Sequence, residues 1–199
     1  MLEPEEGLLT FRAEGQNTPG NAWYSRKIHW PGNLKDCKNW NSGVTIGRGY
    51  DLGKRNEIEV LSDLRLAGLP EKQAQKIAAG VKKTRCLAGE FVKSHRDDIG
   101  EITEIQQVRL FKITYENIKK DSMRLYNTYK KEGSVSWELM DKKIKDVFID
   151  MRLQGQLTKD IIPIFGKNVT GEIITMIGKD SRLMQYEPSR KRIRHLQGN

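Results

Sequence analysis

The strongest constraint on the fold is a change of periodicity at Asp51–Gly53. From Asn56 onward, apolar residues recur almost to the end at the three- and four-residue spacing of helices. Before that point, from Gln16 to Gly53, the chain is rich in Gly, Asn, Pro and Trp and carries only short β-favouring runs, "AWYS", "KIHW" and "GVTI". The pattern predicts an α+β, predominantly helical chain with a single domain over 1–199. A small β-containing lobe would take about 14–55 and a larger helical lobe about 56–199, with residues 1–13, which include a short helix over 5–13, packing on the latter.

Within the helical part, the segment 56–66 offers Ile58, Leu61, Leu64 and Leu66 as an apolar face. Pro70 suits the first position of a helix through Ala79, and a further helix is expected over 86–95. Thr103 and Gln106 form a capping-box pattern ahead of a long amphipathic segment with Val108, Phe111, Tyr115, Ile118, Leu125 and Tyr129. Ser136 is expected to cap a helix carrying Trp137, Met140, Ile144, Val147, Phe148 and Met151, where Gly155 either ends the helix or allows close packing. Helical pieces follow at 158–166, 169–178, 180–186 and 188–197.

The run "SGVTIGRGYDLG", residues 42–53, sets Thr45 and Asp51 in a segment punctuated by four glycines. Glycines of that density let a backbone turn tightly and pass close to another group, while Val, Thr, Ile and Tyr favour extended chain. A strand and turn that aim a hydroxyl and a carboxylate is the expected result. Glu14 stands where the first helix gives way to the irregular region. An acid, a carboxylate and a hydroxyl suit hydrolysis of a glycosidic bond: one carboxyl protonates the leaving oxygen, the other positions a water. Glu5, Glu6 and Glu57 are the rival carboxylates. Aromatic side chains stack on sugar faces, so Trp23 and Trp30 can line a glycan groove or form the small lobe's core. Tyr50, beside Asp51, is expected in the groove, and Gln154 is either a second groove residue or a polar helix end. Trp137 is expected to pack.

"FRAEGQN" followed by "SGVTIGRGYDLG" resembles the pesticin-like muramidases and, more distantly, the phage-type lysozymes, which share a bilobal lysozyme-like fold. "ITEIQQVRLF", "DVFIDMRLQGQLTKDIIPIF" and "SRKRIRHL" are similar to helices of the phage-type enzymes. The resemblance implies Glu14 as general acid, Asp51 as the carboxylate that activates water, and Thr45 as the hydroxyl that positions it. It implies cleavage of the β-1,4 bond between N-acetylmuramic acid and N-acetylglucosamine in peptidoglycan, with no metal or cofactor. A toxin or lysis enzyme of this kind acts as a monomer in the wall of a target cell, and a cognate immunity protein is an expected partner.

The net charge of +9, from 35 Lys and Arg against 26 Asp and Glu, favours an anionic partner and is densest in "SRKRIRHLQGN". A non-catalytic basic module that binds nucleic acid or glycan is therefore a second reading, although no nucleic-acid motif is present and nucleic acid is not the expected partner. A lytic transglycosylase of the same fold is a third. Three distant histidines and the lack of a CxxC pair argue against a metal site. Cys37 and Cys86 are either a bridge, in an oxidising compartment, or two unrelated thiols. No apolar run is long enough to span a bilayer. "MLEPEEGLLTF" lacks the basic and apolar regions of a secretory signal, so delivery by another route is expected.

Overall fold

The structure, a computed structural model, describes residues 1–198. The chain is α+β and predominantly helical, with one small antiparallel sheet. In chain order the helices are α1 (Leu8–Ala13), α2 (Glu57–Leu66), α3 (Glu71–Ala78), α4 (Arg85–Ile99) and α5 (Glu104–Tyr129). They continue with α6 (Lys142–Gln154), α7 (Ile162–Gly166), α8 (Thr170–Lys179), α9 (Ser181–Met184), α10 (Glu187–Arg190) and α11 (Arg192–Gln197). A 3-10 segment, Leu34–Asn39, precedes the strands β1 (Thr45–Ile46) and β2 (Tyr50–Asp51). The chain divides into two compact units, one of residues 1–6 and 14–114, the other of 7–13 and 115–199. The boundary lies inside α5 rather than near residue 55, so α2 to α4 belong with the glycine-rich segments.

In the first unit β1 and β2 form a hairpin with Thr45 opposite Asp51 and Ile46 opposite Tyr50. Gly47 and Gly49 turn it, with φ of +65° and +81°, a region in which a Cβ clashes with the backbone. An isolated bridge adds His29 beside Thr45. Ile28, Val44, Ile46 and Leu52 bury their side chains with Val60 and Leu64 of α2 in one apolar cluster. The expected face of α2 holds in part: Leu64 is buried and Leu61 packs against the cluster, but Ile58 and Leu66 are exposed, at 83% and 70%. The buried stripe runs through Val60, Leu64 and Ala67, the i, i+4, i+7 rows of a helix face. Asn56 caps this helix, its side-chain oxygen accepting from Glu59 N at 2.9 Å. The capping box of α5 forms as expected: Thr103 N donates to Gln106 Oε1 at 2.8 Å, and Gln106 N to Thr103 Oγ1 at 3.2 Å. Cys37 and Cys86 are bonded, tying the 3-10 segment to α4.

The second unit centres on α6. Its Phe148 sets its ring edge-on to those of Tyr126, Trp137 and Phe165, at centroid distances of 5.8, 5.4 and 5.1 Å, the arrangement that aromatic quadrupoles favour. Trp137 is packing, as expected. The helix begins at Asp141 rather than Ser136, because the Asp141 carboxylate accepts from Lys143 N and Ile144 N at 2.9 and 3.3 Å. Two unpaired helical N–H groups are thereby satisfied. Ser136 holds a separate turn through Leu139 N at 3.4 Å. Gly155 ends α6 in the left-handed region, as its sequence position suggests. The expected helix over 188–197 is broken in two at Lys191, which has φ of +56°.

Candidate functional site

The four glycines of the 42–53 run divide into two pairs with different tasks. Gly47 and Gly49 make the turn, while Gly43 and Gly53 cradle the Asp51 carboxylate. Gly53 N donates to Oδ1 at 2.6 Å and Gly43 N to Oδ2 at 3.2 Å. A Cβ on Gly43 would overlap that carboxylate, and one on Gly53 would stand 3.0 Å from Oδ1 and 2.8 Å from Thr84 Cγ2. Asp51 is half-buried, and its carboxylate makes no ion pair with any described residue. Two neutral backbone dipoles therefore fix its orientation without cancelling its charge.

Thr45 sits directly across from Asp51. Leu52 N donates to Val44 O at 2.8 Å, which makes Thr45–Asp51 the non-hydrogen-bonded kind of antiparallel pair, the one whose side chains stand closest. Thr45 keeps 8% of its surface open, and its hydroxyl donates to Gly43 O at 3.2 Å.

Glu14 immediately follows α1 and is half-buried. Its carboxylate reaches the hairpin turn: a Cβ on Gly49 would lie 3.4 Å from Glu14 Oε2. The turn's central residue, Arg48, is buried and bonds to Asn17 Oδ1. Burial pushes its guanidinium pKa down, and the negative charges of Glu3 and Glu14 oppose that shift. A Cβ on Gly15 would overlap the outer atoms of the Arg48 side chain, which would have to shift. Glu14, Thr45 and Asp51 thus all lie in the first unit, the first against the turn of the hairpin and the other two across its strands.

A fourth polar group on this sheet went unnoticed in the sequence. His29 N donates to Thr45 O and Thr45 N to His29 O, both at 2.8 Å. His29 is buried, and burial lowers its pKa to about 4; the bond to Lys27 O and the charge of Asp51 oppose this, while Arg96 reinforces it. The signal that places His29 here is a pairing between segments sixteen positions apart, which no local motif carries.

The expected groove residues fare differently. Tyr50 is not open to a groove but fully buried, its hydroxyl donating to Asp63 Oδ2 at 2.7 Å with the Arg55 guanidinium 4.2 Å from its ring centre. Burial and that hydrogen bond push the phenol pKa up. The reason is strand geometry: successive side chains point to opposite faces, so a neighbour of Asp51 cannot share its face. Trp30 is a core residue, 6% exposed, wedged against Gly32 and Gly89 with its indole N–H on Ser42 O at 3.0 Å. Trp23 is 52% exposed. Gln154, at the end of α6 in the second unit, accepts from Arg192 Nη2 at 2.5 Å.

Residues 7–178 match the domain of unknown function DUF8812. The chain belongs to the DUF8812 family. No curated protein matches it. The matched range contains Glu14, His29, Thr45 and Asp51 and stops short of the basic run at Arg190–Arg194. Among the described residues no group of three or more His, Cys, Asp or Glu side chains could hold a metal ion, and no helix is long and apolar enough to cross a membrane.

Proposed function

We propose that this DUF8812 chain is a glycoside hydrolase of the muramidase type that cleaves peptidoglycan. The observation that carries the reading is the approach of the Glu14 carboxylate to the turn of the hairpin on which Thr45 faces Asp51. In the proposed reaction Glu14 gives its proton to the leaving glycosidic oxygen as the bond to the anomeric carbon breaks. A water held at Thr45 and Asp51 forms the new bond to that carbon and passes a proton to Asp51. The resemblance to pesticin-like muramidases supports the same roles, and two compact units are in keeping with a bilobal lysozyme-like fold. The Cys37–Cys86 bridge favours work in an oxidising compartment, where wall enzymes act. An immunity protein that blocks the site belongs to the same proposal.

The test is product analysis of purified peptidoglycan incubated with the parent chain and with Glu14→Gln. Reducing muramic acid ends from the parent alone support the hydrolase. Anhydro ends move the chemistry to transglycosylation, and no product from a folded parent overturns the reading.

One observation favours a second reading, a non-catalytic anion-binding module. A cavity of about 380 Å³ in the second unit is walled by Arg12, Arg190, Lys191 and Arg194, and no carboxylate lines it. Binding of a polyanion there would fall steeply with salt, and Lys191→Ala with Arg194→Ala would abolish it. Hydrolysis would follow Glu14 instead.

A further inference from the structure

The second reading's cavity needs no active site, but the row His29–Thr45–Asp51 does bear on one. His29 and Thr45 exchange both backbone hydrogen bonds, and Thr45 faces Asp51 across the hairpin. Residues directly opposite one another in antiparallel pairs project from the same face of a sheet. The three side chains therefore form one line across three extended segments, with His29 and Thr45 each 8% open.

The protons on this face can be counted. His29 Nδ1 is 3.1 Å from the Lys27 carbonyl oxygen. A carbonyl only accepts, so the ring proton sits on Nδ1, and Nε2 carries a lone pair in the neutral ring. The guanidinium of Arg96, pinned to the carbonyls of Asn21, Ala22 and Ile28 at 2.7 to 2.8 Å, disfavours an imidazolium. Nε2 has no hydrogen-bond partner among the described residues. The Thr45 hydroxyl proton is taken by Gly43 O, so Thr45 Oγ1 meets a water as an acceptor, as does the Asp51 carboxylate. In the proposed hydrolysis those two acceptors would take both protons of the attacking water. His29 Nε2, a third acceptor on the same face, has to receive its hydrogen bond from something other than that water.

We infer that His29 is a substrate-binding residue of this site, its Nε2 accepting a hydrogen bond from an O–H or amide N–H of the sugar unit at the scissile bond. The inference rests on the hydrolase reading and adds a recognition element to it. A site built to accept a hydrogen bond from the substrate disfavours analogues that lack the matching donor.

Two variants separate this role from a structural one. Asn at position 29 keeps a donor near Nδ1 for the Lys27 carbonyl and loses the outer acceptor; Gln carries an amide oxygen out towards the place of Nε2. His29→Gln should retain roughly tenfold more kcat/KM than His29→Asn, with the loss mainly in KM. Equal losses, or a better-preserved Asn variant, would mark the residue as structural and overturn the inference. The independent readout is the side-chain 15N spectrum of the Glu14→Gln chain, titrated with a soluble tetrasaccharide of alternating N-acetylglucosamine and N-acetylmuramic acid. Nε2 should start as an unprotonated nitrogen and move on saturation while Nδ1 stays. An unmoved Nε2 while backbone amides elsewhere respond overturns the inference and leaves the hydrolase standing. A tetrasaccharide that perturbs no resonance, together with a parent that releases no product, overturns both.

Discussion

Asp51 in the first unit and Asp150 in the second are aspartates held in opposite ways. Asp150 is fully buried and surrounded by charge: Arg192 Nε reaches it at 2.7 Å, Arg190 Nη1 at 3.0 Å, and Thr10 Oγ1 donates to it at 3.0 Å. Arg192 is itself fully buried, its pKa pushed down by desolvation while Asp150 opposes the shift. This pair joins α6 to the chain's last turns and α1, all within one unit. Asp51 is bonded only to backbone N–H groups of two glycines and keeps its charge uncancelled. A neutralised carboxylate serves architecture. One that is oriented but not neutralised can attract a developing positive charge or take a proton, which is what a glycosidic transition state requires.

The largest expected effect tests that contrast directly. Asp150→Asn strands a buried guanidinium and should lower stability by about 3–5 kcal/mol, read by urea denaturation. Asp51→Asn loses one charge-assisted hydrogen bond from a backbone N–H and should cost less, about 1.5–3 kcal/mol, while lowering kcat on peptidoglycan by roughly 10²–10⁴-fold. Comparable destabilisation by the two substitutions would break the comparison.

The next effect concerns His29, the neutral imidazole of the row. The unfolded chain protonates His29 near its ordinary value of 6.5, and the folded protein does so only at about 4. Between those limits the unfolded state binds more protons, so stability rises with pH. The His29 contribution is full above pH 6.5 and is lost as pH falls towards 4, in total about 3 kcal/mol. His29→Gln should remove that slope from a plot of unfolding free energy against pH; an unchanged slope would assign it to other groups.

A smaller effect is expected at the cradle. Gly53→Ala puts a Cβ against Thr84 Cγ2 and Asp51 Oδ1, costing about 1–3 kcal/mol and tilting the carboxylate. Its kcat should therefore fall with little change in KM. Smallest of all, Thr103→Ala removes half of the capping box of α5 and should cost about 1 kcal/mol. Activity should be unaffected, which gives a baseline for loss of stability alone.

The sequence made some of this legible. Thr103 with Gln106 and Gly155 encode helix ends through their own side-chain or backbone chemistry, and the structure uses them as read. Thr45 and Asp51 were legible as a pair because one hairpin joins them. Tyr50 is next to Asp51 along the chain but not on its face, because a strand sends immediate neighbours to opposite sides. Leu64 is read correctly, but several phases of a helical stripe fit the segment 56–66, and only membership of the cluster with Val44 and Ile46 selects Val60 over Ile58. His29 could not be found locally, since its position depends on a bridge between separate segments. The capping Asp141 was hidden by the competing Ser136 five positions earlier.

The contact between Gly15 and Arg48 carries a consequence for variation across the DUF8812 family. The Arg48 side chain fills the space where any larger residue at 15 would place its Cβ, so a change at one position is coupled to the other. Relatives that keep a long side chain at 48 should keep glycine at 15, and those that lose the glycine should carry a short side chain at 48. On the proposed function the Glu-Gly pair would then be inherited for two separate reasons, the glutamate for its proton and the glycine for the volume of a side chain thirty-three positions away.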